Sequence, residues 1–120
     1  MLSAKKRAYY YGKYSEWLAC LWLILKGYRF IKHDYLTKYG QVDLIFYKKN
    51  VLIFVEVKSR KKMAIIENLI THQQKRHLLN AARYFISKNN YFSEKVLRFD
   101  AVYVIGFFRI LHFKNIYDDI

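Results

Sequence analysis

Three charged residues near the middle of the chain have the types and the spacing of a metal-assisted phosphate site. Asp43 is separated by twelve residues from the tripeptide Glu56-Val57-Lys58. Side chains alternate between the two faces of a β-strand, so Glu56 and Lys58 point the same way. If a neighbouring strand aims Asp43 at them, two carboxylates and one ammonium group converge.

The distance between Asp43 and Glu56 depends on the register of the strands that carry them. If Lys48 pairs with Val51 around a two-residue Lys49-Asn50 turn, Asp43 lies directly opposite Glu56. A three-residue turn would separate the two carboxylates unless a β-bulge restored the register. The length of the turn is therefore a condition that the structure must meet.

Two ionised carboxylates a few ångströms apart repel each other, and a divalent cation relieves that repulsion. No Cys or His stands at ligand-like spacing nearby, and oxygen ligands favour Mg²⁺ or Mn²⁺ over zinc. Such an ion polarises a phosphodiester and activates a bound water, while Lys58 stabilises developing charge or positions the water. In the alternative interpretation, Asp43 and Glu56 pair with basic side chains on a solvated sheet face.

Glu16 is the only charged residue between Tyr14 and Leu25. Its neighbours on a helix would be Ala19, Cys20 and Leu23, and a lone acid on such a face is costly to bury without a partner. A metal, Lys58 or a basic strand residue would supply that partner. Alternatively, Glu16 lies at the helix edge and reaches solvent.

Hydrophobic periodicity and glycine positions predict the elements that must position these residues. Helices are predicted at about residues 5–26, ended by Gly27, and at about residues 66–88. Strands are predicted at residues 28–33, 41–47, 51–58, 98–105 and 109–113, with a basic loop at residues 59–62 after the third strand. The order helix, three strands, helix, two strands predicts an α/β fold with a central mixed sheet of about five strands flanked by two main helices.

The composition predicts one domain spanning residues 1–120, because a chain of this length with 54% hydrophobic content buries one sizeable core. The chain has 22 Lys and Arg residues against nine Asp and Glu residues, a formal net charge of +13. This charge attracts polyanions, so nucleic acid is the first candidate partner. Membrane binding is not expected, because no amphipathic helix has one basic and one apolar face.

Cys20 is the only cysteine and lies in an apolar run, which indicates a core residue in a reducing compartment. The basic start of the chain followed by apolar residues 17–25 imitates a signal peptide. However, Glu16 borders the run and no small-residue cleavage site follows it. Its length is also far short of the roughly 20 residues that span a bilayer. A cytoplasmic location is therefore expected.

Several segments together resemble the YraN family of small bacterial proteins. They are Gly12 through Glu16, Ala19, Gly27-Tyr28, GQVDLI at 40–45, IFVEVKSR at 53–60 and RFDAVYVI at 98–105. The resemblance covers nearly the whole chain in the same order. That family is assigned to the PD-(D/E)XK nuclease-like, or restriction-endonuclease-like, fold. The helix-borne Glu, the Asp and the E-x-K sequence are also similar to motifs of archaeal Holliday junction resolvases, which cut branched DNA.

The resemblance implies a set of site residues. Glu16, Asp43, Glu56 and the Val57 carbonyl would be metal ligands, and Lys58 would be the catalytic lysine. The implied cofactor is Mg²⁺, with Mn²⁺ as the alternative. Because one fold hosts many functions, the resemblance does not by itself establish an activity.

The chain departs from the family pattern at two positions. The family usually reads Gly-Glu-Ile-Asp where this chain has Gln41 before Asp43, so a neutral amide replaces an acid, which weakens the expected metal affinity. In the second helix, Gln74 stands where the family usually has a lysine, and Lys75 follows. The phosphate contact there is shifted by one residue or lost.

Basic residues that follow the E-x-K sequence predict a track for nucleic-acid phosphates. Arg60, Lys61 and Lys62 leave the strand directly and would hold the phosphates that flank a cleaved bond. The second helix would extend this track through Gln74, Lys75, Arg76 and Arg83. Taken singly, each of the basic residues is better explained as a solvated surface charge, whereas the set, close to the acids, favours a phosphate track.

A second basic and aromatic cluster lies at the start of the chain. It either stacks on unpaired bases or reflects the overall abundance of Lys and Tyr. Its members are Lys5, Lys6, Arg7, Tyr9, Tyr10, Tyr11, Lys13 and Tyr14. Phe107-Phe108 suits a turn edge or a partner contact. The four histidines, at positions 33, 72, 77 and 112, are scattered, and none is expected to bind a metal.

The first functional hypothesis is a metal-dependent nuclease acting on DNA, at branched or structured sites, with Glu16, Asp43, Glu56 and Lys58 as catalytic residues. The alternative is a non-catalytic nucleic-acid-binding protein that retains the nuclease fold, which the two amide replacements favour. A basic RNA-associated protein is a third hypothesis. Homodimerisation is compatible with an enzyme that cuts two strands, although no residue demonstrates it.

Overall fold

The computed structural model describes residues 2–61 and 72–117, which form a five-stranded sheet with a helix on each face. The elements are α1 (Ala4–Leu25), β1 (Arg29–Thr37), β2 (Gly40–Lys48), β3 (Val51–Arg60), α2 (His72–Lys88), β4 (Val96–Ile105) and β5 (Arg109–Phe113). A short 3₁₀ turn at Asn90–Phe92, which the sequence did not predict, precedes β4. The predicted fold class and element order are confirmed. Residues 66–71, the predicted start of the second helix, lie outside the described residues.

The sheet has the order β1-β2-β3-β4-β5, with β3 and β4 parallel and the other neighbours antiparallel. Lys48 pairs with Val51, and the two residues between them have positive φ angles of 49° at Lys49 and 68° at Asn50. A two-residue hairpin turn of this kind matches the twist of its strands. The predicted turn length, on which the position of Asp43 depends, is confirmed.

Four strands are longer than predicted: β2 and β4 by two residues each, and β1 and β3 at their C-terminal ends. β1 runs on to Thr37, because β2 pairs with it as far as Gly40. The prediction stopped early because residues 32–34 are polar. The strand is also irregular at these residues, with a register shift before Lys32 and a positive φ of 52° at Asp34. β3 continues through Arg60 because β4 pairs with all ten of its residues. Ser59 and Arg60 are therefore strand residues, and the prediction of a loop at these positions was wrong.

The two faces of β3 pack against different helices. Ile53 and Val55 belong to the core on the α1 side, together with Ala19, Cys20 and Leu23. Leu52 and Phe54 belong to the core on the α2 side, together with Leu78, Ala81, Ala82 and Phe85. Each fully buried large apolar side chain contributes about 1.5–3 kcal/mol. β3 is thus a rigid support for the charged residues near its end.

The apolar residues 17–25 form the second half of α1, which ends before Gly27 in the left-handed region at φ 93°. Cys20 is buried against the sheet, as predicted. No helix within residues 2–61 and 72–117 is long and apolar enough to cross a membrane.

A buried polar network holds β4, β5 and the chain after α1 together. Asp100, 1% exposed, accepts hydrogen bonds from Arg98 Nε at 2.9 Å and Arg98 Nη2 at 2.8 Å. Its carboxylate also lies 2.8 Å from His112 Nε2 and accepts the Asn115 N–H at 2.9 Å, while Arg98 donates to the Tyr28 hydroxyl. Burial opposes ionisation of Asp100, but these donors outweigh it and hold its pKa below the ordinary value.

Replacement of Asp100 with alanine is expected to lower the free energy of unfolding by about 3–5 kcal/mol, because Arg98 and His112 lose their partner in a largely buried place. Urea unfolding followed by circular dichroism at pH 7 measures the change. Glu94→Ala, which removes an exposed carboxylate, is the control and should alter stability by less than about 0.5 kcal/mol. Equal effects of the two substitutions would contradict the prediction.

Candidate functional site

The candidate site lies where the pairing of β2 with β3 ends. The ladder runs without a shift from the hairpin turn to Leu44 opposite Val55, so the next residues along it are Asp43 and Glu56. There the Asp43 carboxylate accepts a hydrogen bond from the Val57 N–H at 2.8 Å. The predicted register is confirmed, and Asp43 is fastened to the backbone of β3.

The backbone of β2 is irregular at Asp43. Leu44 packs into the core on the α1 side, whereas Val42 and Ile45 both pack into the core on the α2 side. Strict alternation would have placed Val42 with Leu44. The change of facing occurs where β2 and β3 cease to pair, an opening in the sheet at which the Asp43 carboxylate contacts the Val57 N–H.

Helix α1 brings a third carboxylate to this opening. The Glu16 side chain is 15% exposed, and its Oε1 lies 3.1 Å from His33 Nε2 and 3.7 Å from Lys13 Nζ. Burial raises the pKa of Glu16, and the negative charges of Asp43 and Asp34 add to that rise. Of the two interpretations left open by the sequence, the structure supports a mostly buried, partnered acid rather than one that reaches into solvent.

Glu56 has the most strongly perturbed acid group in the described part of the chain. Burial is the largest cause of the rise in its pKa, and the negative charge of Asp43 and a hydrogen bond with Asp43 are the next largest. Together they raise the pKa of Glu56 to about 9. Lys58 opposes this rise, and Glu16 adds to it. At neutral pH the Glu56 carboxyl therefore keeps its proton in the metal-free protein and is hydrogen-bonded to Asp43.

Lys58 shares the face of Glu56, as alternation predicted. β3 pairs with β4 from Val51 to Arg60 without a shift, so residues 56 and 58 point the same way. The Lys58 ammonium is close enough to Glu56 to act on its pKa. Asp43, Lys58 and Glu16 are thus all near enough to Glu56 to act on its pKa. At Val57 the structure shows a role for the N–H, and the predicted role of the carbonyl stays a prediction.

Asp34, which the sequence analysis missed, lies beside Glu16. Its Oδ2 is 2.7 Å from Lys13 Nζ, and Gln41 Nε2 donates to its Oδ1 at 2.8 Å. Partial burial is the largest single influence and opposes ionisation of Asp34, but Lys13, His33 and Gln41 together outweigh it and lower the pKa. Gln41, the amide in place of a family acid, therefore holds a carboxylate that comes from β1.

His33 was also missed, because the sequence predicted no ligand role for any histidine. One ligand atom each from Glu16, His33 and Asp34 lie within 4.8 Å of one another, a spacing that one cation can bridge. His33 is fixed by Trp17, whose ring stacks on it at 4.3 Å between centroids. The polar run at residues 32–34 was the available signal, but it was interpreted as the end of a strand.

Four acids differ in the direction in which their surroundings shift the pKa. Asp34 and Asp100 have basic partners and lowered pKa values. Glu16 and Glu56 have raised pKa values, since burial and like charges dominate around them. Glu16 and Glu56 are thus the acids whose ionised forms are disfavoured, and Glu16 belongs with His33 and Asp34 to a cluster that could hold a metal ion.

The basic residues predicted to contact phosphates are divided between two regions. Arg60 ends β3 and Lys61 follows it, while Lys62 lies outside the described residues. On α2, Gln74 and Lys75 precede the buried Leu78 by four and three residues, so they lie on the helix side that faces the sheet. Arg76 and Arg83 are exposed and, seven residues apart, share a different side of α2.

Tyr117 connects Lys75 to the carboxylates, and nothing in the sequence indicated it. Lys75 Nζ lies 5.1 Å from the centre of the Tyr117 ring. Burial and then the charge of Glu56 raise the pKa of Tyr117 to about 12. The buried Tyr117 hydroxyl has no hydrogen-bond partner among the residues described. Because Glu56 acts on its pKa, this unused hydrogen-bond donor lies near the site.

Comparisons with known proteins agree with the family resemblance. A model of "Uncharacterised protein family UPF0102" matches residues 15–104, a range that includes Glu16, Asp43, Glu56 and Lys58. A UPF0102 protein of Mesorhizobium japonicum is 33% identical over 113 residues, covering 94% of this chain and 90% of the relative. One of Rhodopseudomonas palustris is 36% identical over 93 residues, covering 78% and 69%, respectively. The chain belongs to the uncharacterised protein family UPF0102, which is the YraN family.

Proposed function

We propose that this protein is a metal-dependent nuclease that cleaves DNA phosphodiesters at branched or structured sites. One observation supports the proposal: in a chain of net charge +13, Asp43 helps to raise the pKa values of both Glu16 and Glu56, and its carboxylate accepts a hydrogen bond from β3, the strand that carries Glu56 and Lys58. Such a group of carboxylates is stable in its ionised form only with a cation. Perturbed carboxyl groups next to a lysine are also typical of catalytic sites.

Each residue has a separate task in this proposal. Glu16, Asp43 and Glu56 would hold Mg²⁺ or Mn²⁺, which when bound polarises a phosphodiester and acidifies a water. Asp43 is already oriented by the Val57 N–H, so it loses little freedom on binding. Glu56 must release its proton to serve as a ligand, and Lys58 stabilises negative charge that develops on the phosphate.

The basic residues around the opening support a nucleic-acid substrate. Arg60 ends β3 two residues beyond Lys58, and Lys61 follows it. The Lys75 ammonium lies over the ring of Tyr117, on whose pKa Glu56 acts. Ammonium and guanidinium groups of this kind position a nucleic-acid backbone without reading its sequence. The cytoplasmic location expected from the sequence is compatible with a DNA substrate.

A non-catalytic nucleic-acid-binding protein is the second candidate, and one observation favours it. Position 41 supplies no carboxylate to the site because it is a glutamine, and its amide donates a hydrogen bond to Asp34. The metal would then be held by fewer charges than in relatives with an acid at that position.

Incubation with linear duplex, single-stranded and four-way-junction DNA, in Mg²⁺ or Mn²⁺, tests the proposal. We expect cleavage of the junction that stops in EDTA and falls at least about 100-fold in Asp43→Asn, because one ligand charge is lost. Asparagine keeps an oxygen that accepts the Val57 N–H, so the fold is retained. Glu94→Gln is the matched control and should cleave like the wild type.

Salt-sensitive binding that survives Asp43→Asn, with no cleavage in either metal, would reject the nuclease in favour of the non-catalytic protein.

A further inference from the structure

A cavity of about 910 Å³ lies beside the N-terminal half of α1. Its walls come from three places: the first half of α1, the end of β3 and the turn between β4 and β5. Its lining includes the side chains of Arg7, Tyr10, Tyr14, Arg60, Lys61 and Phe107. None of these six belongs to the set proposed to hold metal.

The cavity lining combines positive charge with exposed aromatic rings. Arg7, Arg60 and Lys61 are basic, and the lining contains no acid among the residues described. Tyr10 is 56% exposed and Phe107 is 65% exposed. Large apolar rings left in water beside several cations suit a ligand that is both aromatic and anionic, and a nucleotide has both properties.

The aromatic walls are held in place before any ligand binds. Tyr11 donates its hydroxyl hydrogen bond to the Gly106 carbonyl at 2.6 Å, and Tyr14 donates to the Phe107 carbonyl at 2.8 Å. The ring of Phe107 is met edge-on by both tyrosine rings, each at 6.1 Å between centroids. A stacking surface fixed in this way loses little conformational entropy on binding.

The cavity is a short distance from the carboxylates along two elements. Tyr10 precedes Glu16 by six residues of α1, about 9 Å at the helical rise. Arg60 follows Glu56 by four residues of β3, about 13 Å at the strand rise. Because a DNA strand advances about 3.4 Å per nucleotide in a duplex and further when it is unpaired and extended, these lengths correspond to at most about four nucleotides.

We propose that this cavity binds the unpaired bases of a single DNA strand adjacent to the cleavage site, with Tyr10 and Phe107 stacking on bases and Arg7, Arg60 and Lys61 contacting phosphates. The assignment rests on the proposed nuclease function for the nature of the substrate. It narrows that substrate to DNA in which paired and unpaired segments meet. Stacking accepts any base, so no sequence preference is expected.

The test measures binding in EDTA, where cleavage plays no part. Fluorescence anisotropy with a labelled eight-residue oligothymidylate is compared with an abasic oligomer of the same length and charge. We expect at least about tenfold tighter binding of the oligomer that has bases, because each stacked base contributes substantially. Tyr10→Ala and Phe107→Ala should each remove most of this difference. Tyr91→Ala, which removes a 69% exposed ring outside the cavity, should leave it unchanged.

The phosphate contacts have their own readout. Lys61→Gln should reduce the slope of log affinity against log salt by about one, whereas Lys38→Gln, an exposed lysine elsewhere, should not. Equal binding of the abasic oligomer, or a loss in Tyr91→Ala as large as in Tyr10→Ala, would overturn the assignment. A preference of more than about tenfold for the matching oligouridylate would overturn DNA as the ligand.

The two proposals fail in different ways. Base-dependent binding through Tyr10 and Phe107 without cleavage in any metal would reject the nuclease and leave the cavity assignment standing. Metal-dependent cleavage that is insensitive to both aromatic substitutions, together with equal binding of the abasic oligomer, would reject the cavity assignment alone.

Discussion

The metal-free Glu56→Gln variant is expected to be more stable than the wild type at pH 8 by about 2–4 kcal/mol. The pKa of Glu56 is raised from 4.5 to about 9 on folding. Below pH 4.5 the carboxyl group is protonated in both the folded and the unfolded chain. As the pH rises towards 9, only the unfolded chain ionises, so the wild type progressively loses stability. Glutamine stays neutral and keeps its hydrogen bond with Asp43, so its variant lacks this loss.

Urea unfolding in EDTA between pH 5 and pH 9 measures the effect. The difference between the variant and the wild type should be smallest at pH 5 and grow with pH, while Glu94→Gln should follow the wild type throughout. A stability difference that does not change with pH would show that Glu56 is ionised in the folded protein.

Addition of Mn²⁺ should reverse the order of the two proteins. The cation stabilises the ionised form of Glu56, and its apparent affinity for the wild type should rise with pH as the competing proton is lost. Glu56→Gln should gain little stability from Mn²⁺ and lose at least about 1,000-fold in cleavage rate. Stabilisation of both proteins by Mn²⁺ to the same extent would exclude Glu56 as a ligand.

Lys58→Met is expected to separate metal binding from catalysis. We expect cleavage to fall by about 10²–10³-fold, because a cation that stabilises charge on the phosphate is lost. Mn²⁺ should still bind, since Lys58 supplies no ligand atom. Lys58 also lowers the pKa of Glu56, so Glu56 should hold its proton more tightly in Lys58→Met. The variant should therefore bind Mn²⁺ more weakly than the wild type at pH 7, and this difference in affinity should shrink at higher pH.

Single-turnover cleavage and Mn²⁺-dependent thermal shifts, each at pH 7 and pH 9, test this separation. Lys38→Met, which removes an exposed lysine of the β1–β2 turn, is the control and should match the wild type in both measurements. Parallel losses of metal affinity and cleavage at both pH values would make Lys58 a determinant of metal binding instead.

Local sequence signals were sufficient for the strands that carry Asp43, Glu56 and Lys58. Alternation gave the common face of Glu56 and Lys58, and the two-residue turn gave the register of Asp43. Both depend on periodicity and chain length, which are properties of short segments. The limits of β1 and β3 were less predictable, because they depend on how far the neighbouring strand continues to pair.

The surroundings of the site required tertiary structure. Asp34 and His33 approach Glu16 only because α1 lies across β1, and Tyr117 approaches Glu56 from the other end of the chain. The irregularity of β2 at Asp43 is equally hidden, since alternation assigns Val42 and Leu44 to one face. Contacts between residues far apart in sequence leave no periodic pattern by which they can be recognised.

The hairpin turn at Lys49 and Asn50 has a role that its exposed position does not suggest. Surface turns usually tolerate insertions, because few contacts depend on them. Here one added residue would shift β2 against β3 and carry Asp43 away from Glu56, at a point about 20 Å along the strand. The length of an exposed turn is therefore under the same constraint as the buried carboxylates, and natural variation in this hairpin is expected in residue type rather than in residue number.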